Sequence, residues 1–243
     1  MTNDSNWPQA GRERMIVPAA IGHIGTDHPI DEYALIAKMD DTHVFMMGDN
    51  PALPRMPEKP TLLDFFTHRI TGLTRRHLLT SAQMAMDAGM DEKIVLAVLL
   101  HDIANGCLIR ADHGYWGAQL IAPYVSEEVA WAVQMHQPLR YFADEAVGYA
   151  YPESYHQFFG PDYVPPAYIQ EAAQAARSHR WYMSARLVTI YDKYFFDDIP
   201  EPDPELFADI IGRNFNQPAE GLGFDGSPTA HMWRSMIWPN NFL

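Results

Sequence analysis

The sequence predicts an all-α fold. The first observation is an apolar run, KIVLAVLLHDI at Lys93–Ile103, which is apolar nearly all round and therefore typical of a helix buried in a helical domain. The second is a pair of helix-boundary residues just before this run. Gly89 is a stop signal for one helix, and Asp91 is a plausible N-cap for the next. The third is Ser126, an N-cap followed by two glutamates in the first turn of another helix.

The helical core is predicted to begin at Thr61. The sequence TLLD at Thr61–Asp64 has the form of a capping box, and Gly72 breaks this first segment. The next helix is predicted at Arg75–Ala88. It forms a hairpin with the apolar helix that follows it.

Further helices are expected in the second half of the core. His113 opens one of them after the turn-like Arg110–Asp112, and His136 ends the next. A long helical stretch, WYMSARLVTIYDKYFF, contains Asp192, and a short helix is expected at Glu205–Gly212.

The apolar helix ends in a polar pair, His101 and Asp102. A neutral imidazole and a carboxylate inside a core are unfavourable unless something pairs with them, and a divalent metal is the commonest such partner. For an isolated pair, the simpler interpretation is that His101 caps the helix and Asp102 begins a turn. Four more residues at or within apolar helices favour a metal site instead: His77, His113, His136 and Asp192.

The number of candidate ligands sets the number of metals. A one-metal site would use four of the six, namely His77, His101, Asp102 and Asp192. A second metal, bridged by the Asp102 carboxylate, would use the two histidines that remain. Ligation by nitrogen and oxygen without a thiolate suits iron, manganese or zinc. Two such ions about 3.5–4 Å apart would form a two-metal catalytic centre.

The order of these residues resembles a known family. His77, His101-Asp102, His113, His136 and Asp192 follow one another as in the HD-domain superfamily, all-helical metalloproteins named for their His-Asp pair. The six-ligand form is similar to the binuclear branch, which includes phosphohydrolases and a smaller group of mixed-valent di-iron oxygenases. That group comprises myo-inositol oxygenase and the HD oxygenases that cleave organophosphonates. The run from His113 to Phe142 is similar to the phosphonate enzymes, and the likeness covers Thr74–Asp198.

The resemblance implies a role for each residue. It gives one iron to the first His, the His-Asp pair and the last Asp, and the other iron to His113 and His136, with Asp102 as the bridge. The phosphonate oxygenases place a basic residue four positions after the fourth His to hold the phosphonate, and Arg140 occupies that position. Asn105 stands where those enzymes carry a His and is predicted to contact the substrate. The chain also departs from the family at Ile70, where a lid glutamate would be expected.

The predicted function is therefore that of a di-iron oxygenase. It would use O₂ to oxidise and cleave a small anionic substrate, in particular a hydroxylated organophosphonate, with two iron ions as cofactors and manganese or zinc as the other options. One alternative is a metal-dependent phosphohydrolase acting on a phosphoester or nucleotide, in which Asp102 helps to activate a bridging hydroxide. Another is a non-catalytic scaffold that binds a metal or small anion and signals through its N-terminal arm.

Aromatic residues crowd the stretch between Arg140 and Pro166, which predicts a long lid or binding loop. Its rings could line a cage for an alkylated ammonium group, or they could cover the core as ordinary packing. His156 in this stretch is predicted to contact the substrate or to support a ligand.

Composition limits the classes of partner. The chain has 243 residues and a net charge of −14, so a nucleic acid is an unfavourable partner. One cysteine, Cys107, permits no internal disulfide and fits a reducing cytoplasm, and it is interpreted as a packing residue. Residues 1–15 lack the apolar core of a signal peptide and no apolar run approaches a membrane span, so a protein without either is expected.

Three regions are predicted along the chain. Residues 1–60 form an irregular, proline-rich N-terminal extension, residues 61–200 the metal-binding core, and residues 201–243 a C-terminal extension. Trp233 and Trp238 are too apolar for a free tail. They are expected to dock on the domain or on a second subunit, which would make a homo-oligomer.

Overall fold

The structure is a computed structural model in which residues 53–193 and 199–237 are described. Within these residues every regular element is a helix, and the only β-type pairing is an isolated antiparallel bridge between Asp144 and Tyr149. The all-α prediction is therefore confirmed. The predicted N-terminal extension as far as residue 52, and Trp238, lie outside the described residues.

Eleven α-helices are found in the described residues. In chain order they are α1 (Leu62–His68), α2 (Gly72–Asp87), α3 (Glu92–Leu100), α4 (Ile103–Cys107), α5 (His113–Ile121), α6 (Glu127–Arg140), α7 (Glu153–Phe159), α8 (Ala167–Ala176), α9 (Tyr182–Tyr191), α10 (Ala208–Asn214) and α11 (Ala230–Ile237). Short 3₁₀ helices lie at Glu145–Val147 and Pro204–Phe207. None of the helices in the described part of the chain is long and apolar enough to cross a membrane.

Three helices start where the sequence predicted, because side chains cap them. Thr61 accepts a hydrogen bond from the backbone N–H of Asp64, whose carboxylate accepts one from the Thr61 N–H at 2.8 Å. Asp91 caps α3, and Ser126 caps α6 by accepting from the N–H of Val129. Each such cap stabilises its helix by about 1 kcal/mol.

Helix α3 lies at the centre of the core, as its composition predicts. Every side chain from Ile94 to Leu100 is buried, with an exposure of 7 % at most. Helices α2, α6, α9 and α10 pack around it, and α6 also packs on α5, α8 and α9. Helices α3 and α6 are therefore the elements on which most of this core packs.

Helix α2 begins at Gly72 rather than at the predicted Arg75, and two helices end elsewhere than predicted. Helix α6 continues past His136 and through Pro138 to Arg140, whereas the helix before Asp192 stops at Tyr191 and leaves Asp192 as its C-cap. The buried side chain of Arg186 explains the later end of α6, because its Nη1 donates hydrogen bonds to the carbonyls of Leu139, in the last turn, and of Phe142, just after the helix.

The aromatic stretch after Arg140 is not a loop throughout. It contains the 3₁₀ helix at Glu145–Val147 and helix α7. The bridge between Asp144 and Tyr149 closes a short turn before α7. The prediction of a long loop is therefore wrong in form, although the stretch does line a cavity, as described below.

The C-terminal segment packs into the same core. Trp233 of α11 is completely buried, its ring lies edge-to-face on Phe65 at 4.8 Å, and its Nε1 donates to the Leu120 carbonyl at 3.2 Å. Of the two docking sites that the sequence allowed, Trp233 thus occupies one on its own domain. The expected homo-oligomer stays a prediction.

Candidate metal centre

The fold brings all six predicted ligands into one buried cluster. Their exposures range from 0 to 7 %. They come from five places in the helical core: His77 from α2, the pair His101 and Asp102 from the junction of α3 and α4, His113 from the first position of α5, His136 from α6, and Asp192 from the end of α9.

Three of these residues form what we call the inner half-site: His77, His101 and Asp192. The Nε2 atoms of His77 and His101 are 2.9 Å apart. Asp192 Oδ1 lies 3.3 Å from the first of them and 3.5 Å from the second. The three ligand atoms could therefore surround a single metal ion.

The other three form what we call the cavity half-site: Asp102, His113 and His136. Asp102 Oδ1 lies 3.1 Å from the Nε2 of His113 and 3.5 Å from that of His136. Ligand atoms of His101, Asp102 and His136 are also close enough together to share an ion. His101 thus adjoins both half-sites, a closeness that the sequence did not predict.

The Asp102 carboxylate lies between the half-sites. While its Oδ1 faces His113 and His136, its Oδ2 lies 3.8 Å from His77 Nε2. Asn105 Nδ2 donates a hydrogen bond to that same Oδ2 at 3.1 Å. A carboxylate with one oxygen toward each set of imidazoles has the orientation that a bridging ligand requires.

The four histidines share one hydrogen-bond pattern. Each Nδ1 lies 2.5–3.0 Å from a backbone carbonyl oxygen, and the four carbonyls belong to Lys193, Val98, Arg110 and Val133. A carbonyl can only accept, so each Nδ1 must carry the proton and donate it. In a neutral imidazole this leaves the Nε2 lone pair directed into the cluster, which is how metal-binding histidines are commonly oriented.

Acceptor atoms consequently face one another in the cluster. Within the cluster, three buried ligand atoms have no hydrogen-bond partner: Asp102 Oδ1, Asp192 Oδ1 and His136 Nε2. Each such atom costs about 1–3 kcal/mol unless a cation satisfies it. Two ligands bound about 2.1 Å from one ion are about 3.0 Å apart at a right angle and about 3.4 Å apart at the tetrahedral angle. The spacings of 2.9–3.5 Å in the cluster therefore fit a metal ion.

The electrostatics of the cluster also favour a cation. Burial opposes ionisation of Asp102 and Asp192, but the neighbouring histidines hold the pKa of both carboxyls well below its ordinary value. Burial alone would lower the pKa of His101, yet the charges of the two carboxylates raise it to about 9. Burial lowers the pKa of His136 to about 4. The direction of the shifts favours charged carboxylates with positive charge beside them, which suits a bound cation.

A cavity of about 640 Å³ opens beside one side of the cluster. Among the six candidate ligands, only His113 lines it. Arg140 and Asn105, both predicted to contact the substrate, are also in its wall. His156 is not in the wall, and its ring instead packs against Tyr151 at 4.9 Å.

Arg140 is held in the cavity wall by aromatic rings. Its guanidinium carbon lies 5.0 Å from the ring centre of Tyr141, 5.5 Å from Tyr155 and 5.8 Å from Phe159. Its Nη1 lies 3.5 Å from His113 Nε2. The aromatic residues therefore surround a cation of the protein itself, and the alternative of an alkylammonium cage does not describe these three rings.

Two helix contacts fix the relative position of α5 and α6. Gln137 Oε1 accepts from the backbone N–H of Gly114 at 2.9 Å. A Cβ at Gly114 would lie 2.8 Å from the Gln134 carbonyl oxygen. Pro138 has no N–H to donate to that carbonyl, so Gly114 packs against a carbonyl that the helix itself leaves without its usual partner. This close approach places His113 beside His136.

Sequence reasoning missed the role of Tyr155. Its hydroxyl donates to Asp192 Oδ2 at 3.2 Å, across 37 positions of sequence. The abundance of aromatic residues gave the only signal, and it did not distinguish this tyrosine from its neighbours. Cys107 packs against the hydrophobic core and belongs to neither group that could hold a metal, and burial raises the pKa of its thiol to about 12. Its interpretation as a packing residue agrees with these observations.

No protein-family model matches the chain, and no curated protein shows significant similarity to it. The resemblance to the HD-domain superfamily therefore stays a prediction from the ligand order. What the geometry supplies is a buried His/Asp cluster that could hold a metal ion.

Proposed function

We propose that this protein is a di-iron oxygenase of the HD-domain type, which oxidises and cleaves a small anionic organic substrate, most specifically a hydroxylated organophosphonate. The observation that carries the proposal is the set of four imidazoles with Nδ1 fixed on carbonyls and Nε2 directed at two charged carboxylates. Six nitrogen and oxygen ligands in two adjoining groups favour a pair of first-row ions over one.

The position of Arg140 supports an anionic substrate. A buried guanidinium beside a metal ligand and in the wall of a cavity can bind a phosphonate or carboxylate through two parallel hydrogen bonds. The three rings around it restrict its motion and keep water from its faces. An anion bound to Arg140 would lie close to the cavity half-site rather than the inner one, because His113 belongs to the cavity half-site and also lines the cavity.

Residues of the chain orient the candidate ligands without a bound substrate. When bound, a pair of redox-active ions would activate O₂ and accept electrons from the substrate. Asp102 would join the half-sites through its two oxygens, and Asn105 holds that carboxylate by donating to Oδ2. The backbone carbonyls keep the imidazoles in the tautomer that can bind a metal.

The same ligands would also suit a metal-dependent phosphohydrolase, so the test must separate the two reactions. We would measure the metal content of the full chain and then O₂ consumption with hydroxylated alkylphosphonates. The proposal expects about two iron ions per chain and phosphate release that requires O₂. Phosphate release from phosphoesters that continues without O₂ would support the hydrolase. Bound metal with neither reaction would support the non-catalytic scaffold.

The substitutions Arg140→Ala and Arg140→Lys test how the substrate is held. Losing a charge-assisted hydrogen bond of about 1.5–3 kcal/mol should raise KM about 10- to 100-fold in Arg140→Ala. Arg140→Lys should recover only part of the affinity, because an ammonium cannot pair through two parallel bonds. Arg180→Ala is the matched control, since Arg180 stacks on Trp181 at the surface and does not line the cavity. An unchanged KM in Arg140→Ala would exclude it as the anion site.

A further inference from the structure

Tyr155 connects the cavity to the inner half-site. It lies in α7, its side chain is 2 % exposed, and it lines the cavity next to Arg140. Its ring centre is 5.5 Å from the Arg140 guanidinium carbon, while its hydroxyl donates to Asp192 Oδ2 at 3.2 Å. One side chain therefore touches both the residue proposed to bind the anion and a ligand of the half-site that does not line the cavity.

The hydrogen bond from Tyr155 makes the surroundings of the two Asp192 carboxylate oxygens different. Oδ2 accepts from the Tyr155 hydroxyl. Oδ1 has no hydrogen-bond partner and faces the Nε2 atoms of His77 and His101. A carboxylate with one oxygen engaged in this way presents the other oxygen alone to an ion. Without the phenol, the carboxylate could turn and offer both oxygens to the same ion.

We propose that Tyr155 is a positioning residue that engages Asp192 Oδ2, so that Asp192 would offer only Oδ1 to an ion in the inner half-site. The inference rests on the two-ion centre of the proposed function. The inference adds to the proposed function a residue, Tyr155, that would act on one of the two ions through Asp192. Hydrogen bonds of this kind to a metal ligand commonly change metal affinity 10- to 100-fold.

The experiment uses Co²⁺ as the probe, because its visible absorption reports coordination number. Tyr155→Phe would be made in two variants of the full chain, His113→Ala and His77→Ala, which each retain one half-site. In the His113→Ala chain, Tyr155→Phe should change the affinity for Co²⁺ about tenfold and lower the visible absorption, because Asp192 would then offer both oxygens to the ion. In the His77→Ala chain, it should change neither quantity.

Tyr151→Phe is the matched control. It removes a phenol whose ring lies 5.6 Å from that of Tyr155 but does not line the cavity. It should leave Co²⁺ binding unchanged in both chains. Thermal unfolding of the metal-free proteins separates a change of affinity from a loss of folding, since Tyr155→Phe retains the buried ring.

The outcomes distinguish this inference from the proposed function. Equal effects of Tyr155→Phe in the two chains, or no effect in either, would overturn the positioning role alone. A wild-type chain that binds no Co²⁺, Fe²⁺ or Zn²⁺ would overturn the metal centre and the inference with it.

Discussion

The two half-sites use the same ligand types in different surroundings. The inner half-site takes its ligands from α2, α3 and α9, and none of them lines the cavity. The cavity half-site depends on α5 and α6, and its His113 forms part of the cavity wall, 3.5 Å from an Arg140 nitrogen. Under the proposed function, the difference teaches that the inner ligands would retain an ion, whereas the ligands beside the cavity would present an ion to a substrate.

The contacts behind the ligands differ in the same way. Asp192 in the inner half-site accepts a hydrogen bond from Tyr155, and His77 donates to the carbonyl of Lys193, two residues after the end of α9. The cavity half-site instead depends on the approach of α5 to α6 at Gly114. We therefore expect substitutions to affect the half-sites separately, except at Asp102, which belongs to both.

Asp102→Ala should have the largest effect. Because its two oxygens face different half-sites, its loss should reduce bound metal from about two ions to fewer than one per chain and remove activity. Metal analysis of the purified variant measures this. Asp112→Asn is the control, since Asp112 lines the cavity but is not in the cluster. If Asp102→Ala kept two ions, the carboxylate would not be a bridge.

His113→Ala and His77→Ala should each remove one ion and leave the other. The two losses should differ in consequence, because only His113 adjoins the cavity. We expect His113→Ala to abolish the effect of added substrate on the remaining ion and His77→Ala to preserve it. Metal content and the Co²⁺ spectrum with and without a phosphonate measure both effects. Retention of two ions in either variant would mean that the ligand assignment is wrong.

Gly114→Ala should weaken the cavity half-site without removing a ligand. The added Cβ would meet the Gln134 carbonyl oxygen at 2.8 Å, so α5 must move away from α6. Such overpacking costs about 1–3 kcal/mol and should lower metal affinity at this half-site about tenfold. Gly117→Ala on the same helix is the control, since its nearest contact would be an ordinary 3.4 Å. Equal affinities in the two variants would argue against α5–α6 spacing as the determinant.

Cys107→Ser should have the smallest effect, because neither half-site includes a thiolate. Metal content should not change. Burial raises the pKa of the thiol to about 12, so at pH 8 almost all of it is protonated and unreactive. The native protein should react with iodoacetamide at least about 100-fold more slowly than free cysteine, and the rate should rise with pH as thiolate forms. The unfolded chain is the control, and a fast native reaction at pH 8 would contradict this environment.

Local chemistry made several parts of the structure predictable. The caps at Thr61, Asp91 and Ser126 act within one turn, so the sequence identified those helix starts. The candidate ligands were recognisable because charged and polar groups in apolar helices need partners. Helix ends were less predictable. The end of α6 at Arg140 depends on Arg186, which lies 47 positions from the carbonyl of Leu139 that it satisfies.

The amino-acid sequence by itself determined the all-α class, the buried helix α3 and the six side chains whose burial requires a partner. Only the tertiary structure decided how those six divide into half-sites, that rings enclose the Arg140 guanidinium, that Tyr155 contacts Asp192, and that His156 stays out of the cavity wall. The physical reason is one of range. Burial preferences and caps are properties of neighbouring residues, whereas each of these contacts joins side chains whose positions are fixed by the packing of whole helices.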